Sequence, residues 1–133
     1  MISRLDDDIK FMSKALNLHA HRQQLLAGNI ANADTPGYKA VDIDFSRALK
    51  LAVGSSQPVG LNETAPGHLQ PKGSNPFGAQ TLYRQPAQPS IDGNTVDMDV
   101  ERTQFIDNAI RYQFTLDRVS GKFKTLDLAL KGQ

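Results

Sequence analysis

A chain of 133 residues with 39% apolar content has room for one ordinary domain and a lean core. Lys plus Arg total 15 against 14 for Asp plus Glu, and the balance holds in each segment when the chain is cut at Asp34 and Asp97, so no segment has the basic excess that phosphate neutralisation demands and nucleic acid is not an expected partner. The absence of cysteine excludes disulfides and thiolate metal sites; Asp6, Asp7 and Asp8 stand where a secretory signal needs a positive flank and no run approaches membrane-spanning length, so neither a cleaved signal peptide nor direct membrane insertion is expected.

From Ile2 onward, Leu5, Ile9, Met12, Leu16, His19, Gln23, Leu26, Ile30 and Ala33 alternate spacings of three and four. This is an a/d heptad seam, and it predicts a helix over residues 1–34. Ser3 is placed to cap its start, with Asp6 as the capping-box partner and the neighbouring aspartates set favourably against the helix dipole. Pro36 biases Thr35 out of the α region and Pro36-Gly37 is a turn pair, so the helix is expected to end close to Asp34. His19 and Gln23 are polar at seam positions. Either they fix register and partner choice, or they lie where the seam opens to solvent. Away from this seam, Phe11, Leu18 and Leu25 recur every seven residues as a second apolar stripe.

The segment 35–95 changes character: all seven prolines lie between Pro36 and Pro89, and seven of the ten glycines between Gly37 and Gly93. Gly54 to Gly78 shows no sustained period, and no regular structure is expected there. Short extended pieces fit Lys39 to Phe45, where Val41, Ile43 and Phe45 alternate with Asp42 and Asp44, and Thr81 to Arg84. A brief helix through Phe45 to Val53 fits equally well.

Residues 96–133 repeat the heptad pattern with Met98, Arg102, Phe105, Ala109, Tyr112, Leu116, Val119, Phe123, Leu126 and Leu130. Asp92-Gly93 marks a turn before it, Asp97, Asp99 and Glu101 cluster at the start, and Lys122, Lys124 and Lys131 lie towards the end, the charge order a helix dipole prefers. Ile106, Ile110 and Phe114 form an off-seam line. The expected fold is therefore mainly α, one unit in which long N- and C-terminal helices pair as a coiled-coil-like hairpin around a Pro/Gly-rich irregular middle with at most short extended segments. Such a hairpin buries one stripe per helix. The remaining stripes, Phe11, Leu18 and Leu25 on one helix and Ile106, Ile110 and Phe114 on the other, call for further partners and are the candidate assembly interface.

No enzyme motif emerges, and no catalytic, metal or cofactor site is expected. His19 and His21 are two apart on a helix and point about 200° away from each other, and His68 stands alone. The pairs Asp42 with Asp44 and Asp97 with Asp99 lack the glycine and terminal glutamate of a calcium loop. Turn and helix-start roles explain them better.

The stretch Gly28-Asn29-Ile30-Ala31-Asn32-Ala33-Asp34-Thr35-Pro36-Gly37-Tyr38-Lys39-Ala40 closely resembles the N-terminal signature of the flagellar rod and hook axial proteins. A second block, Pro89-Ser90-Ile91-Asp92-Gly93-Asn94-Thr95-Val96-Asp97-Met98-Asp99, is similar to the C-terminal signature of a proximal rod member of that family, and Asp42-Ile43-Asp44-Phe45 also matches. Val41 departs from the pattern, standing where a basic residue belongs.

The resemblance implies a structural subunit of the flagellar basal-body proximal rod, polymerising with other rod proteins into the helical drive shaft that transmits torque from the membrane ring to the distal rod and hook. It implies terminal helices paired as the inner, polymer-forming part of a tube, with the Asn29 to Tyr38 block at the turn into inter-subunit contacts. It also implies self-association, contact with the membrane-ring/rod junction protein and the flagellar export apparatus, and export from the cytoplasm without a cleaved signal peptide. Three alternatives stay open: a coiled-coil adaptor or export chaperone that never polymerises, a small enzyme using the Asp pairs, and another rod subunit of the same architecture.

Overall fold

A computed structural model of the chain describes residues 2–54, 80–86 and 90–132. The stretch expected to lack regular structure lies, Gly54 apart, outside the described residues. In chain order the elements are α1 (Ile2–Ala31), β1 (Val41–Ile43), α2 (Phe45–Val53), β2 (Thr81–Tyr83) and α3 (Met98–Lys131).

The long helices follow from their heptad patterns, and their ends from local chemistry. Already helical at Ile2, α1 takes Ser3 as a helical residue rather than its cap, and its first turn holds no acidic residue. The helix closes after Ala31, where the Asn32 N–H and side-chain amide both donate to the Gly28 carbonyl at 3.1 and 2.8 Å. At the start of α3 the Asp97 carboxylate accepts from the Asp99 and Val100 N–H groups, and at its end Gly132 turns out at φ 70 beside Lys131. At 1.5 Å per residue the two helices are about 45 and 51 Å long. Their pairing is antiparallel: Lys122 meets Asp8, Asn108 meets His19 and Glu101 meets Asn29.

The middle segment is more regular than a purely irregular connection. Strand and helix, the two alternatives open for residues 39–53, occur in succession. Strand β1 pairs antiparallel with β2, Val41 opposite Tyr83 and Ile43 opposite Thr81. Asp44 then caps α2, accepting from the Arg47 N–H at 3.0 Å, and the Gly54 N–H closes the helix on the Lys50 carbonyl. This short helix lies on α1 and builds the apolar core of Leu18, Ile43 and Ala48, with Leu25, Phe45, Leu49 and Ala52 packed against it.

Two expectations about the long helices change as a result. Leu18, expected on an assembly face, is fully buried beneath α2, and Leu25 packs beside it; only Phe11 of that stripe stays exposed. The reason is that α2 supplies within the chain the partner the stripe requires.

The α3 seam is also turned. Phe105, Val119 and Leu126 are half-buried as their line requires, and Tyr112 sits at the edge of exposure. Leu116, Phe123 and Leu130, expected to complete the seam, are 40, 53 and 87% exposed. The inward line beside Phe105 is instead Glu101, Asn108, Thr115 and Lys122, the first two fully buried. On α1, Leu26 is buried, and Leu5, Ile9, Met12, Leu16 and Ile30 are half-buried.

Candidate functional site: the clasp at the head of the helix pair

Leaving α1, the chain must turn back past the start of α3, and the carbonyls of that turn, beyond the last helical residue Ala31, need donors. The buried side chain of Asn94 supplies them. Its amide reaches the carbonyls of Asn32, Ala33 and Thr35 at 3.0, 2.7 and 2.9 Å, while its own carbonyl oxygen accepts from the Val96 N–H at 2.8 Å. The two turns are stitched by backbone as well: Gly37 N–H donates to Asp92 O at 2.9 Å and Thr95 N–H to Tyr38 O at 3.0 Å. Lys39 Nζ reaches Gly93 O, and the Thr95 hydroxyl accepts from the Ala40 N–H. Gly37 and Gly93 both sit at φ 72, the left-handed region that disfavours a side chain, and a Cβ on Gly93 would lie 3.9 Å from Gly37 Cα.

Directly below the clasp lies a chain of charge. Arg22 grips Asp42 with both arms at 2.8 and 2.9 Å and sends a further bond to Gln104. Arg84 bridges Asp42 and the fully buried Glu101, at 2.6 Å to each. Asn29, also buried, donates to Glu101 and to the Val41 carbonyl and accepts from Val41 N–H and the Tyr38 hydroxyl. Burial alone would raise the Asp42 carboxyl; Arg22, the Ile43 N–H and Arg84 outweigh it and hold it below the usual carboxylate range.

A second polar layer follows about two turns further along the hairpin. His19 Nδ1 meets Asn108 Oδ1 at 2.8 Å, and the Asn108 amide donates to the His19 carbonyl and to Gln23 Oε1 at 2.9 and 2.6 Å. Because that amide is occupied as a donor, Nδ1 carries the proton. Phe45 of α2 stacks on the imidazole with centroids 4.2 Å apart. Burial lowers the His19 pKa first, opposed by the Asn108 bond and reinforced by Arg111 and Arg22, so the ring is neutral in the layer.

These contacts gather Asn29, Asn32, Thr35, Gly37 and Tyr38 from one signature block against Asp92, Gly93 and Asn94 from the other. Asp97 caps α3 beside them, with Met98 half-buried at its first turn, whereas Asp34 and Pro36 remain exposed at the turn. Asp44 and Asp97 hold helix-start roles, and Asp42 is an ion-pair centre. Arg22, Arg84 and Asn108 are not marked as site residues by the sequence. Glu101 reads there as a helix-start acid and not as an ion-pair partner, and the one signal for Asn108 is its seven-residue spacing from Glu101. Among the described residues no three His, Asp or Glu side chains gather as a metal site.

Beyond the clasp, α3 carries its apolar side chains into the open. Ile110 and Phe114 are 64 and 61% exposed, and Ile106 is similarly bare. An open cleft of about 410 Å³ runs between the helices on the side away from α2, lined by Ala20, Gln23, Gln24, Ala109, Tyr112 and Gln113.

Residues 9–39 match the model of a family described as flagella basal body rod protein. The chain is 49% identical over 128 residues to the flagellar basal body rod protein FlgB of Escherichia coli strain K12, covering 93% of each chain. It is 46% identical over 136 residues to the FlgB protein of Salmonella typhimurium strain LT2, covering 99% of each. Against that of Buchnera aphidicola it is 40% identical over 133 residues, covering 99% of this chain and all of the other.

Proposed function

The chain belongs to the FlgB family of flagellar basal body rod proteins, and from that premise we propose that it is a structural subunit of the proximal rod, polymerising with itself and other rod proteins into the shaft that carries torque from the membrane ring towards the hook. The observation that carries this reading is the apolar line left open along the outer side of α3, with Ile106, Ile110 and Phe114 all more than half exposed, while Phe123 and Leu130 are bare on another side of the same helix. Exposed apolar lines of that kind on a single chain mark surfaces that other protein covers. A rotating shaft needs subunits held by many simultaneous contacts, and a rigid helix pair braced at its head by the clasp presents such contacts along its length.

In this reading the partners are neighbouring rod subunits, the membrane-ring/rod junction protein and the flagellar export apparatus, and the working place is the basal body, reached without a cleaved signal peptide. Among the described residues no helix is long and apolar enough to cross a membrane. The role is non-enzymatic: Asp42 and Glu101 are engaged by Arg22 and Arg84, and Asp44 and Asp97 by helix N–H groups, which leaves these acids bracing the fold.

The test is a complementing copy carrying Ile110→Asp with Phe114→Asp in cells lacking the gene. We expect a folded, expressed protein and non-motile cells without rods. Full motility from that copy would overturn the reading.

A further inference from the structure

Two lines of α3 compete for the inside of the hairpin. Phe105, Tyr112, Val119 and Leu126 face α1 in either case. One flank of that line is apolar, Ala109, Leu116, Phe123 and Leu130; the other is polar, Glu101, Asn108, Thr115 and Lys122. Burial of apolar surface alone favours the first flank. The structure has the second turned inward, a difference of roughly 50° about the helix axis, half the 100° between successive residues.

What holds the less apolar flank inside is a set of specific bonds. Glu101 is met by Arg84 and Asn29, Asn108 by His19 and Gln23, and Lys122 by Asp8 at the far end. Each of these partners lies on α1 or, for Arg84, directly after β2, so every bond ties the rotation of α3 to the rest of the chain. Turning the apolar flank inward would carry Glu101 and Asn108 away from these partners and strand buried polar groups on both sides. The interhelical cleft, lined by Ala20, Gln24 and Ala109 among others, leaves open space beside the apolar flank of α3.

We propose that the Arg84–Glu101 and His19–Asn108 layers are a rotational key: they hold α3 turned so that Leu116, Phe123 and Leu130 stay outside the hairpin, available to a neighbouring subunit, rather than being consumed in the chain's own core. The inference rests on the assembly reading for what the exposed line is for, but the rotation itself is a property of the single chain. Glu101 and Asn108 are positioning residues in this account. Fully buried inside the hairpin, they decide which surface is offered.

Cysteine cross-linking reads the rotation directly, because the chain has no cysteine of its own. By the register of Lys122 with Asp8 and Asn108 with His19, residues 115 and 116 lie at the level of Met12. Met12→Cys is combined with Thr115→Cys or with Leu116→Cys, in the parent and in a chain carrying Arg84→Ala, Glu101→Ala and Asn108→Ala. Disulfides accept only a narrow window of Cα separation. In the parent the Thr115 position is expected to oxidise faster, and in the keyless chain the Leu116 position, so that the rate ratio passes through one and inverts. Adding Phe123→Ser and Leu130→Ser to the keyless chain is expected to restore the parental order, which mere loosening of the hairpin would not do.

An unchanged preference for Thr115 in the folded keyless chain overturns the proposal. If that chain loses its helical signal, Asn108→Ala alone is read in the same way, and an unchanged order there overturns it too. Failure of the assembly reading is separable: with the key intact, Phe123→Ser and Leu130→Ser that still build rods would sink that reading while leaving the cross-linking result standing.

Discussion

Asn94→Ala removes the group that closes the exit of α1. In the structure one buried amide serves the carbonyls of Asn32, Ala33 and Thr35 while its oxygen holds the Val96 N–H. Two N–H groups share the three carbonyls, so the loss is about three effective bonds at roughly 1 kcal/mol each. A destabilisation of about 3 kcal/mol corresponds to a fall of about 12 °C in Tm for a domain of this size. Asn94→Asp is expected to be worse by a further 1–2 kcal/mol or so, because it faces those carbonyl oxygens with acceptors and buries a charge. Part of that extra loss returns on acidification, as the carboxyl gains a proton and with it a donor. Thermal and urea unfolding of the purified chain, followed by circular dichroism, measures both. A change below about 0.5 kcal/mol for Asn94→Ala, the range of ordinary surface substitutions, refutes the capping argument, as does an Asp variant no worse than the Ala variant.

Stability is expected to depend on pH through His19. Its folded pKa lies below the ordinary 6.5, so between the two values the unfolded chain binds more protons and stability rises with pH; the contribution is whole above about 6.5 and is lost as pH falls below it. Urea midpoints across that range measure it, and His19→Gln should flatten the slope. Asp42 adds a second loss at lower pH, since its depressed carboxyl stabilises the fold above the ordinary 3.8 and ceases to as pH drops through its folded value. Leu18→Asp is expected to cost more than about 3 kcal/mol, because it places a carboxylate in the core beneath α2, whereas Phe114→Asp should leave stability within about 0.5 kcal/mol and abolish assembly. Gly37→Ala and Gly93→Ala should each cost about 1–2 kcal/mol from left-handed backbone strain alone, since neither new Cβ meets a clash; urea unfolding at neutral pH checks both.

The two long helices were legible because each heptad pattern persists long enough to exceed chance, and their boundaries because Pro36, Asp97 and the flanking turns act locally. Strand β1 and helix α2 were visible only as alternatives, since a short apolar run supports either until a partner is known. The rotation of α3 was not legible. Apolar periodicity ranks flanks by transfer energy, and here specific bonds to Arg84, Asn29 and His19 override that ranking. Arg84 is distant in sequence from every residue it serves, and nothing local distinguishes it from a surface arginine. Leu18 misled for the complementary reason: an off-seam stripe requires a partner, but periodicity does not say whether that partner lies in another subunit or, as here, in α2. The clasp was visible as two odd sequence blocks, and their mutual contact required the fold.

The central claim, that this chain is a building block of the rod, is tested most directly by deleting its gene in its own bacterium and imaging purified basal bodies by electron microscopy. The account predicts non-motile cells whose membrane rings carry no rod, with both defects restored by the intact gene. Complete rods and normal swimming in the deletion strain would contradict it.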